Sequence, residues 1–350
     1  MLAVCPFRFR QFGPDPRSGV HFRLITDPEW LDCFHIDGGG MYGGTDIVVR
    51  DSLEGIHAAI REAPRPCHAL VISTGNLMVS PPRTLLGDSC KLLVIPAHST
   101  PLDPDDIAHF LDATEHADPG MQKAWADRFF DIGGRSRHLL FVDRRTGTQA
   151  RFEHRAGHCE WFDQVGEIPW GGQQFAPPGE ISCLPMAHGR FDPGRRFALD
   201  GEVTFQGIPI VNSGRPSFLR SDQQRIHDAL ASLVDHAVVA RIEAGIVVDH
   251  RPLAPGGQPA AAMLDALFDV DSRFRQVWEL GFGANTQMQP RPGNKAPNEA
   301  FGASNGCLHF GLGLTPWTQY HIDLLSPETQ VCNELGEVLA GPHASTAERP

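Results

Sequence analysis

The sequence predicts an α/β protein with a mixed sheet, flanking helices and an antiparallel β insertion. Three observations lead to this prediction. The first third alternates helical and strand-like segments, the middle holds short strand-like segments between turn residues, and helical spacing returns after Ser221. Alternating helices and strands are typical of layered α/β folds, whereas short alternating segments between turns are typical of antiparallel sheets.

The first region, residues 1–132, is predicted to alternate helices and buried strands. Apolar residues recur with helical spacing in Ser52–Ala63 and in Asp103–His116. Two short continuous apolar runs, His68–Ser73 and Lys91–Pro96, lie between these helices. Runs of this length that are rich in Val, Ile and Leu are typical of buried parallel strands.

The second region is predicted to span residues 133–340. Its first part, Arg137–Ile210, has the turn spacing of an antiparallel β segment. Helices are predicted at Ser221–Gly245 and Ala260–Phe274, because apolar residues there recur with a helical period and a glycine closes the first of them. The polar residues 341–350 are predicted to form a flexible tail.

Composition and charge narrow the function classes. The formal net charge is -12, which argues against nonspecific binding to nucleic acid or to anionic membranes. We see no apolar run long enough to cross a bilayer and no secretory signal pattern at the N-terminus. The eight cysteines show no CxxC spacing and are expected to be reduced thiols. The expected location is therefore the cytoplasm, with no nucleic-acid or membrane partner.

Metal-ligand residue types concentrate between Trp278 and Asp323. Glu279 precedes a glycine-rich stretch that is interpreted as a turn, His309 lies in an alternating segment, and His321 and Asp323 are two residues apart. Residues two apart on a strand point to the same face, so this pair could hold one metal, or two through a bridging carboxylate. The alternatives are that His321 and Asp323 lie on a solvated edge strand, that Glu279 caps a turn, and that His309 is a structural residue.

A further acid, Glu180, begins an apparent strand after Pro178 and Gly179, although PGE is also a common turn. Carboxylates and imidazoles without thiolates suit Zn, Co or Mn. Two such ions can lower the pKa of a bridging water and polarise a carbonyl group. The composition therefore favours metal-assisted hydrolysis.

The order of the motifs PGEI, ELGFGAN, GN followed by GCLHFGLG, and HID resembles the metalloaminopeptidases of the aminopeptidase T and aminopeptidase S family. The resemblance covers roughly residues 133–335 and implies a metalloaminopeptidase-like fold, a peptide substrate and a homodimer. It also implies that Glu180 or Glu279 acts as the catalytic base. The ligands of two divalent metal ions would be Glu180, Glu279, His309, His321 and Asp323.

One side chain that members of that family carry is missing from the sequence. Members carry a tyrosine a few residues after the strand histidine, where this chain reads GLGLTPW from Gly311 to Trp317. Loss of that hydroxyl would weaken transition-state stabilisation, so turnover stays open.

Three hypotheses about function follow. The first is an aminopeptidase-type metal-dependent enzyme. The second is a non-catalytic peptide-binding protein, without metal if the site is degenerate, similar to crocagin-type proteins that present a ribosomal precursor peptide to tailoring enzymes in natural-product biosynthesis. The third is a structural subunit of an oligomer.

Overall fold

Helices and strands alternate through the first third of the chain, and strands dominate the rest. The computed structural model describes residues 1–14, 17–76, 81–157, 159–187, 190–191, 194–315 and 317–342. The helices are α1 (Leu53–Glu62), α2 (Arg83–Leu86), α3 (Pro104–His116), α4 (Pro119–Arg135), α5 (Arg220–Leu230) and α6 (Gln258–Val270). The first strands are β1 (Leu2–Val4), β2 (His21–Thr26), β3 (Phe34–Ile36), β4 (Gly44–Val49), β5 (Cys67–Ile72) and β6 (Cys90–Ile95).

The later strands come from two stretches of the chain. Those before α5 are β7 (Leu139–Asp143), β8 (Thr148–Phe152), β9 (Glu160–Gln164), β10 (Gln173–Phe175), β11 (Glu180–Leu184), β12 (Met186–Ala187), β13 (Arg190–Phe191), β14 (Leu199–Phe205) and β15 (Pro209–Ser213). Those after α5 are β16 (Val238–Glu243), β17 (Ile246–Pro252), β18 (Val277–Gly283), β19 (Cys307–Leu312), β20 (Tyr320–Ser326), β21 (Gln330–Asn333) and β22 (Val338–Ala340).

The first region builds a five-stranded parallel sheet with the order β10-β6-β5-β2-β4. Ile56 and Ile60 of α1 cover one face of this sheet, and Ile107 and Leu111 of α3 pack with side chains of the other. Every residue of β5 and β6 is buried, because both faces are covered. The predicted buried parallel strands are therefore confirmed.

Helix α3 begins with a reciprocal capping box between Asp103 and Asp106. The buried Asp106 also pairs with two cations from the segment between β18 and β19. Arg291 Nε donates to Asp106 Oδ1 at 3.0 Å, and Lys295 donates to Asp106 Oδ2. This ion cluster ties the parallel sheet's helix to the segment that leads into β19.

Asp106→Asn is expected to lower the free energy of unfolding by about 2–3 kcal/mol, because it leaves two partly buried cations without their carboxylate. Burial alone would raise the pKa of Asp106, but Lys295, the backbone of Asp103 and Arg291 outweigh burial and lower it. The stabilisation is therefore present above the unfolded pKa of about 3.9 and lost as pH falls through the folded pKa. Urea unfolding between pH 3 and pH 7 measures it; a constant difference between variant and wild type would contradict this account.

The remaining large sheets are antiparallel and enclose the main core. One is six-stranded with the order β15-β20-β19-β18-β11-β9, and the other is seven-stranded with the order β17-β16-β14-β8-β7-β21-β22. Phe310 of the six-stranded sheet lies 6.0 Å from Phe141 and 5.5 Å from Phe205 of the seven-stranded sheet, between ring centroids. Because one face of the six-stranded sheet is used for this core, its other face is available to line a cavity.

The predicted helix at Ser221–Gly245 is wrong beyond its first half. Helix α5 ends at Leu230, a 3₁₀ turn covers Ala231–Val234, and β16 follows. Val238, Val239 and Ile242 are buried in β16, which lies between β14 and β17. A β-branched run fits a central strand better than a helix.

The glycine interpreted as the end of that helix lies in a hairpin turn. Ala244 and Gly245 both have positive φ, at 46° and 75°, and they connect β16 to β17. Two central residues with positive φ are the signature of a two-residue hairpin turn whose twist matches its strands. The second predicted helix, Ala260–Phe274, corresponds to α6 and the following 3₁₀ turn at Ser272–Arg275.

The predicted fold class is confirmed, since helices accompany one parallel and two large antiparallel sheets. Within Arg137–Ile210, the strands β7, β11 and β14 each pair with one strand from residue 238 onward, whereas β10 joins the parallel sheet. The boundary between residues 132 and 133 stays a prediction.

None of the described helices is both long and apolar enough to traverse a bilayer. Of the predicted tail, residues 343–350 lie outside the described residues.

Candidate metal centre

The acidic and imidazole residues of the predicted ligand set lie on one face of the six-stranded sheet. Gly311 of β19 is paired on one side with Glu279 of β18 and on the other with Asp323 of β20. In a neighbouring row, His309 is paired with Gly281. Residues directly opposite one another in adjacent strands share a face. Glu279, His309 and Asp323 therefore point to the side away from the core.

The other two residues reach the same face. His321 lies two residues before Asp323 on β20, as the sequence predicts for a shared face. Glu180 begins β11 opposite Gly283 of β18, four residues beyond Glu279. The edge-strand alternative is wrong, because β20 lies between β15 and β19. The turn-cap alternative for Glu279 is also wrong, because Glu279 lies inside β18.

All five side chains converge within a few ångströms. His321 Nε2 lies 2.9 Å from Asp323 Oδ1 and 3.2 Å from Glu279 Oε2. His309 Nε2 lies 3.5 Å from Glu180 Oε1 and 4.0 Å from Asp323 Oδ1. Ligand atoms bound to one cation through bonds of about 2.0–2.2 Å would have separations of this size.

The glycines of this stretch make room for the cluster. The stretch from Glu279 to Gly283 is part of β18, so its interpretation as a turn is wrong. A Cβ at Gly281 would overlap the His309 ring, reaching 2.8 Å from Cδ2 and still nearer to Nε2 and Cε1. A Cβ at Gly311 would lie 2.6 Å from Glu279 Cβ and 2.8 Å from His321 Cε1. Glycine is required at both positions because side chains from adjacent strands cross over them.

A backbone carbonyl orients His321. Its Nδ1 lies 2.7 Å from Gly313 O, and a carbonyl oxygen only accepts, so Nδ1 carries a hydrogen and Nε2 faces the carboxylates. Burial would lower the pKa of His321, but Asp323 and Glu279 outweigh burial and raise it well above its usual range. His309 Nδ1, in contrast, is buried without a hydrogen-bond partner among the described residues. His321 is therefore held more firmly than His309.

The cluster forms part of the wall of a cavity of about 630 Å³. The side chains of Glu180, Glu279 and His321 are 13%, 16% and 12% exposed, whereas those of His309 and Asp323 are 1% exposed and lie beneath them. The cavity also reaches the parallel sheet, since Val94 of β6 and Phe175 of β10 line it. None of the described lining residues is Lys or Arg.

Two further polar residues complete the cluster, and sequence reasoning missed both. Asn212 Nδ2 donates to Asp323 Oδ2 at 2.9 Å and to Glu299 Oε1 at 2.7 Å. Burial raises the pKa of Glu299 well above its usual range, and the charges of Asp323 and Glu180 add to this. Glu299 lies in a 3₁₀ turn at Ala296–Ala300 and Asn212 in a buried strand, so neither belongs to a recognisable motif.

The charge balance and the donor set fit divalent cations. Four carboxylates, from Glu180, Glu279, Glu299 and Asp323, face two imidazoles in a cavity whose described lining includes no Lys or Arg. Burial raises the pKa of Glu180 well above its usual range, and the negative charges of Glu279 and Asp323 add to this effect. Buried charges of one sign require a partner of the other sign, and mixed carboxylate and imidazole donors suit Zn, Co or Mn.

The ligand atoms fall into two groups that share one residue. Glu180, Glu279 and His309 form one group, and Glu279, His321 and Asp323 form the other; within each group the atoms lie within 4.8 Å of one another. Each group supplies one imidazole and two carboxylates. The structure thus contains two sets of residues that could each hold a metal ion, with Glu279 common to both.

The tyrosines of the chain lie away from the cavity. Tyr320 points from β20 into the core, and its hydroxyl donates to Leu219 O at 3.1 Å. Tyr42 packs in the core of the first region, where its hydroxyl donates to Pro6 O at 3.2 Å. Since the sequence holds only two tyrosines, none is available to the cluster. Thr315 lines the cavity, and it lies in the segment where members of the aminopeptidase T and aminopeptidase S family carry their tyrosine.

Comparison with solved structures finds matches over nearly the whole chain. The structure of 2,5-dihydroxypyridine dioxygenase from Pseudomonas putida KT2440 has a TM-score of 0.54 and 11% identity, and the match covers 98% of each chain. Wild-type AmpT from Thermus thermophilus has a TM-score of 0.46 and 14% identity, covering 95% of each chain, a likeness too weak to carry an argument. No family model and no curated protein matches the chain. The first match shows a shared fold and nothing about activity.

Asn212→Leu is expected to weaken cation binding by about 10- to 100-fold, the usual cost of removing a group that orients a metal ligand. The leucine fills similar space but cannot donate to Asp323 or Glu299. Competition with a chelating dye measures the affinity. Unchanged affinity in this variant, with the protein still folded, would show that Asp323 is held by other contacts.

Proposed function

We propose that this protein is a metal-dependent hydrolase of peptides that uses two divalent cations. The observation that supports the proposal most directly is the pair of ligand groups that share Glu279. The resemblance of the same residues, in the same order, to the aminopeptidase T and aminopeptidase S family supports the peptide substrate and an aminopeptidase type of cleavage.

The roles of the residues follow from their positions. Two cations bound there would lower the pKa of a shared water and polarise a peptide carbonyl. Of the two acids predicted as catalytic base, Glu180 is the better placed, because Glu279 belongs to both ligand groups. The Glu180 side chain is 13% exposed at the cavity wall, so its oxygen atoms are open to a bound substrate or water. The ligand group that contains His321 would bind its cation more tightly than the group that contains His309, because a backbone carbonyl orients the His321 ring.

The composition of each group favours this proposal over a mononuclear oxygenase. The fold neighbour of TM-score 0.54 is a dioxygenase, and non-haem Fe(II) oxygenases use two histidines and one carboxylate on one ion. Here, His309 and His321 fall into different groups, each with two carboxylates. A shared carboxylate between two groups is suited to a pair of ions rather than to a single iron.

A second candidate function is peptide binding without cleavage, and one observation favours it. The cavity lacks a tyrosine among its described lining residues, so one donor that would stabilise an oxyanion in the resembling family is missing. A cavity of about 630 Å³ between two sheets would still hold an extended peptide.

The predicted homodimer, the cytoplasmic location and the role in natural-product biosynthesis stay predictions.

The metal content of the purified protein tests the proposal. Two equivalents of Zn, Co or Mn, with release of amino acids from short peptides that stops after chelation and returns after metal addition, is the expected result. One equivalent of iron with oxygen consumption would replace the proposal by an oxygenase. Metal-free protein that binds intact peptides without cleaving them, even after metal addition, would establish the second candidate.

A further inference from the structure

Two partly exposed phenylalanines line the cavity outside the acidic cluster. Phe162 is 39% exposed and Phe175 is 37% exposed, and both line the cavity. Single exposed apolar residues are common on protein surfaces, but two that line one cavity mark a binding surface. Neither has a role in the ligand groups described above.

The two phenylalanines come from the edges of different sheets. Phe162 lies on β9, the outermost strand of the six-stranded sheet, and Phe175 lies on β10, the outermost strand of the parallel sheet. The strands are tied together at this end, because Phe175 N donates to Gln164 Oε1 at 2.8 Å. This hydrogen bond joins β9 and β10 at the end of the cavity that both phenylalanines line.

The register of the sheet gives the distance from Phe162 to β18, the strand that carries Glu279. Phe162 is paired with Ser182, Ser182 with Gly281, and Gly281 with His309, so the four residues form one row. Adjacent strands are about 4.8 Å apart, which puts Phe162 about 10 Å from Gly281, over which the His309 ring lies. An extended peptide advances by about 3.3–3.6 Å per residue, so this distance corresponds to about three residues.

We propose that Phe162 and Phe175 form a subsite for a large apolar side chain of a peptide, about three residues from the bond held at the ligand cluster. The proposal rests on the proposed function and adds a specificity to it. Its occupant follows from the lining. The cluster end of the cavity holds four acids, whereas this end carries the two phenylalanines and the uncharged amides of Gln173 and Gln174, with the exposed Asp163 beside them. An apolar side chain would bury ring surface here while Asp163 keeps its contact with water.

Binding of a peptide series to the metal-free full chain tests the subsite apart from hydrolysis. The probes are tetra-alanine and its four variants with a single Phe, measured by calorimetry after chelation. One Phe position, expected to be the third or fourth from the end held at the cluster, should bind at least tenfold more tightly than tetra-alanine. This is the usual size of discrimination by an apolar pocket.

Single substitutions test whether Phe162 and Phe175 cause the positional preference. Phe162→Ala and Phe175→Ala are each expected to abolish most of the positional preference while changing the affinity for tetra-alanine by less than about threefold. Phe162→Leu should retain part of it. Trp317→Ala is the matched control, because Trp317 is 44% exposed and does not line the cavity. Thermal unfolding confirms that each variant is folded.

The outcomes separate this inference from the proposed function. A positional preference in metal-free protein, with no cleavage after metal addition, supports the subsite and ends the hydrolase proposal. Cleavage without any preference, or a preference that Phe162→Ala leaves intact, overturns the subsite alone. Absence of peptide binding also overturns it, and tight binding of 2,5-dihydroxypyridine in that case would assign the phenylalanines to a small aromatic substrate.

Discussion

Glu279→Gln is expected to reduce metal binding at both groups at once and to lower peptide hydrolysis by about 10³-fold. Glutamine has the size of glutamate, but it removes the only negative charge that both groups share. Mutation of any other predicted ligand touches one group. The expected signature is therefore a loss of two equivalents of metal from one substitution, measured by elemental analysis after dialysis against a low metal concentration.

The exposed Glu328 provides the matched control for this change. Glu328→Gln removes the same charge from a surface turn and should leave metal content and activity unchanged. Asp323→Asn completes the comparison, because Asp323 belongs to one group. It is expected to release one equivalent and retain the other. If Glu279→Gln also lost a single equivalent, the residue would not bridge two ions, and the two-cation proposal would fall.

Gly281→Ala is expected to lower the free energy of unfolding by about 2–4 kcal/mol and to displace His309. The added methyl group would overlap the imidazole ring, and His309 is 1% exposed, so it has no free space to enter. Denaturant unfolding measures the first effect. Loss of the cation held with Glu180 and His309, while the other group keeps its own, measures the second.

Gly134→Ala is the control for the backbone effect of this substitution. Gly134 is exposed on α4, and a Cβ there would meet nothing within 4 Å. Alanine is the better helix former, so this variant is expected to be more stable than wild type by up to about 1 kcal/mol. If Gly281→Ala bound two metal ions with unchanged stability, the His309 ring would not need the space above that strand.

Much of the fold was predictable from local patterns. The buried parallel strands follow from continuous apolar runs, and α3 follows from apolar residues with helical spacing. The error at residues 238–245 arose because valines and isoleucines of a central strand also satisfy a helical period. A two-residue turn with Ala at a positive φ angle gives no strong sequence signal, since Asn or Gly is usual there.

The candidate site was predictable in part. His321 and Asp323 share a face because of strand geometry alone, and the other three predicted residues were identified through the order of their motifs. The approach of Glu180 to the others depends on the pairing of β11 with β18, about 100 residues further along the chain, which no local pattern encodes. Asn212 and Glu299 were missed for the same reason, because an amide and an acid without a motif acquire their role from tertiary contacts.

The segment from β10 to β11 has a consequence for how the chain can be divided. Phe175 pairs with the parallel sheet through β6, and five residues later Glu180 starts the strand that carries it into the acidic cluster. A fragment that begins at residue 133 would leave β10 without its neighbour β6, and the cavity would lose the lining residues that come from the first region, such as Val94 and Ser99. Reconstitution would therefore need both pieces present together, since neither piece alone holds every wall of the cavity.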